Sequence, residues 1–145
     1  RRPILLVGHS AGAHLALEAA RIPELRGEIA GVAAISGVFD LRPVRWTFLQ
    51  DELALTDTET TRHSPLDAPP DVPLLIGVGA DETPEYHRQA RAMSALTGAP
   101  VIVEPDAHHM RMLIALGDPT SVTSQAIRDF AHRIAAKPKP TSEGD

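Results

Sequence analysis

Close to its start the chain runs from four consecutive apolar residues, Ile4-Leu5-Leu6-Val7, into Gly8-His9-Ser10-Ala11-Gly12, and then at once into a helical pattern. A short, uninterrupted apolar run suits a strand buried on both faces, as in a parallel sheet. Leu15 and Ala19, one turn apart, continue a helix over 11–21 that Pro23 closes. A strand that bends sharply into a helix at G-x-S-x-G leaves the serine at the carboxyl end of the strand, beside the helix N-terminus. Gly8 and Gly12 are expected to leave room for neighbouring backbone, and Ser10 to take a strained conformation where the helix dipole favours developing negative charge. Ser10 is thus a candidate nucleophile, and the N–H of Ala11 a candidate oxyanion donor.

The rest of the chain alternates in the same style. Residues 29–35 (IAGVAAI) read as a second buried strand, 72–78 as a third and 101–103 as a fourth. Residues 84–96 read as a helix with Pro84 in its first turn and Gly98 as its stop, and 121–136 as another. Between 38 and 72 Leu49, Leu53 and Leu55 suggest short helices interrupted by prolines. Strands alternating with helices predict an α/β fold with a parallel sheet covered on its faces. Residues 1–136 are read as part of one domain, and the polar, Pro-containing stretch 137–145 as a disordered tail.

Composition narrows the partners. The net charge is −5, and no Lys/Arg cluster offers a nucleic-acid footprint. No apolar run approaches the roughly 20 residues that span a bilayer, and no signal-peptide pattern is seen, so no membrane partner is expected. The absence of cysteine removes disulfides and thiolate chemistry and fits a reducing, cytoplasmic compartment. A small-molecule substrate remains, with neither metal nor cofactor called for.

Where such an elbow carries a nucleophile, a carboxylate and then a histidine follow in chain order. Gly79-Ala80-Asp81-Glu82 follows the third strand, which puts a carboxylate at the sheet edge that carries Ser10. Asp81 is taken as the acid, with Glu82 next in line; capping of the following helix is the alternative role for Asp81. After the fourth strand come His108 and His109, either of which can reach Ser10 as a general base. His9 should pack inside the elbow, His14 should point along the helix, and His63, His87 and His132 should be solvated.

Four stretches together resemble the α/β-hydrolase superfamily, and within it the esterase/lipase-like branch that includes kynurenine formamidase (arylformamidase). They are Gly8-His9-Ser10-Ala11-Gly12-Ala13-His14-Leu15, similar to a GHSAGGHL elbow; Ser36-Gly37-Val38-Phe39-Asp40-Leu41-Arg42-Pro43, similar to SG-(aromatic)-DL-x-P; Ser64-Pro65-Leu66; and 79–89, which resembles the acid loop G-x-D-E-x-x-E-F-x-x-Q with Tyr86 at the Phe position. The resemblance favours His109 as the base, since His109-Met110 matches the family's H-F followed by a helix. It implies a Ser10-Asp81-His109 triad cleaving N-formyl-L-kynurenine to kynurenine and formate, a step of tryptophan catabolism, with Trp46 and Phe48 as a wall against the aromatic substrate. Packing in the core is the alternative for Trp46. A carboxylesterase for small acyl esters and an inactive fragment or binding module are the competing readings.

The resemblance also implies strands and an H-G-G-type oxyanion loop ahead of the elbow that are missing here, so the chain looks like the C-terminal half of such an enzyme. Its partner would then be that N-terminal segment or a second copy in a homodimer. Losing one oxyanion donor costs about 10²–10³ in rate, and a strand edge left bare is a pairing hazard.

Overall fold

The computed structural model describes residues 3–136; the tail expected over 137–145 lies outside the described residues. Four parallel strands, β1 (Ile4–His9), β2 (Ile29–Ile35), β3 (Leu74–Gly79) and β4 (Val101–Glu104), pair in the order β1-β2-β3-β4. The helices are α1 (Ala11–Arg21), the short α2 (Leu49–Leu53) and α3 (Asp57–Arg62), then α4 (Pro84–Thr97), α5 (Arg111–Gly117) and α6 (Val122–Ala136). None among the described residues is long and apolar enough to cross a membrane.

Strand alternation sorts the core into two layers. On one face Val32, Ala34, Leu74 and Ile76 meet Ala13 and Leu17 of α1 and Met93 of α4. On the other, Ala33 and Leu75 meet Phe130 and Ile134 of α6. At the carboxyl end Ile35, Ala107 and Met112 close a third cluster under α5. β2 and β3 are therefore the doubly buried strands that their apolar runs announce.

β1 departs from that expectation. Ile4 is 46% and Val7 48% exposed, because among the described residues β1 is an edge strand with β2 on one side only. The third strand starts at Leu74 instead of residue 72: Pro73 has no N–H to give the ladder, although its carbonyl still accepts from Val32 N at 3.0 Å. Gly98 ends α4 in the left-handed region at φ 71°, and Pro84 opens it. α3 begins with a full capping box between Thr56 and Glu59.

The motif stretches outside the elbow are accounted for by buried backbone that must be satisfied. Gln89 Oε1 accepts from Phe39 N at 2.7 Å and Asp40 N at 2.8 Å, and its Nε2 donates to Asp40 O at 3.2 Å. Ser64 Oγ accepts from Leu41 N at 2.9 Å and donates to Thr60 O. The buried Asp40 carboxylate accepts from Arg42 Nε at 2.6 Å and Arg88 at 3.0 Å. Burial alone would raise the Asp40 pKa; the bonds from Arg42 and Arg88 outweigh it and hold the group below its ordinary range. The segment after β2 is thereby tied to α4.

A depressed carboxylate stabilises the fold above its unfolded pKa, about 3.9, and that contribution is lost as pH falls through the lower folded value. Asp40→Asn should therefore reduce stability by about 1–2 kcal/mol near neutrality, the arginines being half exposed. The gap between wild type and variant in urea unfolding should shrink below about pH 4. An equal gap at neutral and acid pH would show that the charge contributes nothing.

Candidate active site

Ser10 sits between β1 and α1 with φ 55° and ψ −120°, a conformation that L-residues seldom adopt. Its N–H donates to Ile35 O at 2.9 Å. The bend brings α1 so close to β1 that a Cβ on Gly8 would lie 2.2 Å from Gly12 O. Gly8 thus has the role expected of it. Gly12 does not, since a Cβ there would meet nothing within 4 Å: the crossing backbone is that of Gly12 itself, seen from Gly8.

The carbonyl of Ala107 crosses the end of β3 in the same manner, where a Cβ on Gly79 would lie 2.1 Å from it. This crossing carries the loop after β4 back over the sheet. Asp81 N donates to Ala107 O at 3.0 Å and Ala80 N to Glu104 O at 2.9 Å. At the far end His9 Nε2 lies 3.0 Å from the carbonyl of His109. A carbonyl can only accept, so Nε2 of His9 bears the proton. Burial pushes the His9 pKa down and outweighs the hydrogen bond to the His109 carbonyl, which works the other way, so the ring stays neutral.

His109 is the histidine delivered to the serine. Its Nε2 lies 2.9 Å from Ser10 Oγ and its Nδ1 lies 2.6 Å from Glu82 Oε1. The carboxylate fixes the tautomer: Nδ1 donates, and Nε2 is left with a lone pair to accept the serine proton. His108 is exposed and holds the start of α5 through its carbonyl.

The acid position corrects the expectation for Asp81. That residue is exposed, and the carboxylate on His109 belongs to Glu82. The reason is local. Asp81 N–H is committed to Ala107 O, whereas Glu82 N donates to Gly79 O at 3.2 Å and closes a turn that folds residue 82 back under the strand end. The Glu82 side chain is 0% exposed. Its second oxygen accepts from Gly79 N at 2.9 Å and from Ser36 Oγ at 3.0 Å. Ser36, at the end of β2, is itself held at φ 49°. Capping does not occupy Asp81 either, since Thr83 is the N-cap of α4.

Two aromatic neighbours complete the surroundings of the imidazole. The His9 ring lies against His109 with centroids 4.6 Å apart and a tilt of 40°, and the Tyr86 ring stacks on His109 at 4.6 Å and 29°. No residue pattern marks either ring or Ser36 as part of a site, although all three lie within or beside the motif stretches, because their proximity arises between β1, the end of β2 and the first turn of α4. His14 donates to the carbonyl of His63 at 2.7 Å, and His63, expected to be solvated, is half exposed with its Nδ1 3.0 Å from Glu18. Trp46 and Phe48 are 90% and 80% exposed, so neither packs in the core formed by the described residues. Among the described residues no three His, Cys, Asp or Glu side chains are grouped to hold a metal ion.

No protein-family model matches the chain. It is 28% identical over 132 residues to a kynurenine formamidase of Salmo salar, covering 79% of this chain and 45% of that protein. Among solved structures, a candidate thioesterase of Silicibacter superposes with a TM-score of 0.77 at 30% identity, over 88% of this chain and 51% of the other. An α/β hydrolase from a lagoon-sediment metagenome does so with a TM-score of 0.63 at 18% identity, over 91% and 62%. The chain thus spans less than half the length of the salmon formamidase. Its described residues form part of an α/β-hydrolase fold, and the similarity in sequence runs to the kynurenine formamidase and esterase-like branch.

The two glycines of the elbow separate its steric demand from its sequence signature. Gly8→Ala should lower unfolding stability by at least about 2 kcal/mol, backbone being unable to give way. Gly12→Ala, in open space on a helix, should stay within about 1 kcal/mol of wild type. Chemical denaturation of both variants checks the contrast.

Proposed function

We propose that this chain carries the catalytic residues of a serine hydrolase, with Ser10 as nucleophile, His109 as general base and Glu82 as the acid that orients it. The observation that carries the reading is His109 bridging Ser10 Oγ at 2.9 Å and Glu82 at 2.6 Å through its two nitrogens. His109 takes the serine proton as Oγ attacks an acyl carbonyl, then gives it to the leaving group as the carbon–heteroatom bond breaks. Water repeats the sequence on the acyl-enzyme and releases the acid. Ala11 opens α1, so its N–H has no acceptor within the helix and can donate to the oxyanion.

The substrate that similarity favours is a formamide, N-formyl-L-kynurenine, yielding kynurenine and formate, with Trp46 and Phe48 offering exposed aromatic surface to its ring. Likeness to a candidate thioesterase supports a second reading, hydrolysis of small esters or thioesters by the same residues. Turnover of N-formylkynurenine against that of p-nitrophenyl acetate separates the two.

Ser10→Ala should abolish labelling by a fluorophosphonate. Glu82→Gln should lower turnover by about 10³–10⁴, as loss of the acid does in triads generally, whereas Asp81→Asn should change it by less than about twofold. A larger loss for Asp81→Asn than for Glu82→Gln would reverse the assignment.

A further inference from the structure

Tyr86 places beside the Ser10–His109 pair a hydroxyl that none of the three proposed catalytic roles uses. Its oxygen lies 3.5 Å from His109 Nε2, the same nitrogen that lies 2.9 Å from Ser10 Oγ. The length is beyond a good hydrogen bond. Among the described residues the phenol reaches nothing besides the Ser10–His109 pair. It is held there by its ring, which stacks on the imidazole, and by α4, whose first turn contains it. Burial raises its pKa, against a smaller opposing pull from the Ser10 hydroxyl, so it remains a protonated phenol at neutral pH. His9, the other ring against the imidazole, is committed to the His109 carbonyl.

In the tetrahedral intermediate Oγ and the leaving atom are bonded to one carbon. The protonated Nε2 must then come within hydrogen-bond reach, about 3 Å, of that leaving atom. An atom docked at Nε2 on the Tyr86 side falls within reach of the phenol as well. We propose that Tyr86 contacts the leaving group, its hydroxyl hydrogen-bonding the departing oxygen or nitrogen while His109 protonates it. The inference rests on the serine-hydrolase reading above. The carbon–heteroatom electron pair leaves with the heteroatom, the proton comes from Nε2, and Tyr86 keeps its own proton throughout.

Help of this kind matters most for a poor leaving group. p-Nitrophenolate departs without assistance, whereas a weakly acidic phenol or an amine does not. The test is a series of aryl acetates running from p-nitrophenyl to p-methoxyphenyl, hydrolysed by the full chain and by Tyr86→Phe. The loss in kcat/KM for Tyr86→Phe should be about tenfold greater with p-methoxyphenyl acetate than with p-nitrophenyl acetate, the size of one hydrogen bond made in the transition state. Because the ratio is taken within one variant, partial misfolding cancels. A loss equal across the series would overturn the proposal and leave Tyr86 as packing for His109, with the hydrolase reading intact. Turnover that survives Ser10→Ala would instead remove the hydrolase reading, and the proposal with it.

Discussion

The Glu82 carboxylate is taken wholly out of water and given four things to hold it: the Gly79 N–H, the Ser36 hydroxyl, the imidazole Nδ1–H, and a turn that closes on its own N–H. A buried charge left unpaired is severely unfavourable, so this arrangement holds together as a unit. The donors come from the ends of β2 and β3 and from the loop after β4. Satisfying one carboxylate therefore brings three neighbouring strand ends into register with one another. In the proposed hydrolase His109 is then oriented before any substrate arrives, which is the preorganisation that acyl transfer demands.

Two close backbone crossings make this possible. At Gly8 the first turn of α1 passes over β1, and at Gly79 the Ala107 carbonyl passes over β3. The second carries the histidine across the sheet from β4 toward β1, to the edge strand that bears Ser10. Strain gathers at the same places: Ser10 and Ser36 both have positive φ, at roughly 1–3 kcal/mol for such a residue. Strain at these strand ends persists because the hydrogen bonds around it leave no relaxed alternative.

Farther from the chemistry, Asp40, Arg42, Arg88 and Gln89 bind the segment after β2 to α4. α4 in turn carries Tyr86 against the imidazole. A stretch whose sequence resembles a family signature is here a set of polar side chains answering buried backbone groups. Its contribution to the site is positional, through the helix whose first turn faces His109.

What the sequence determined by itself is whatever depends on local chemistry. The apolar runs of β2 and β3, the strand-to-helix turn around Ser10, and Pro84 and Gly98 at the ends of α4 are all legible in neighbouring residues, because each is set by a propensity, a cap or a steric limit within a few positions. Tertiary structure decided what adjacent residues contest. Asp81 and Glu82 have the same chemistry at the same strand end, and only the capture of the Asp81 N–H by Ala107, a residue from the next loop, turns Glu82 inward. β1 has the composition of a buried strand, yet among the described residues it pairs with β2 alone, which leaves Ile4 and Val7 46% and 48% exposed. Ser36, His9 and Tyr86 join the site from the end of β2, from β1 and from α4, and no periodicity along the sequence records a meeting made between separate elements.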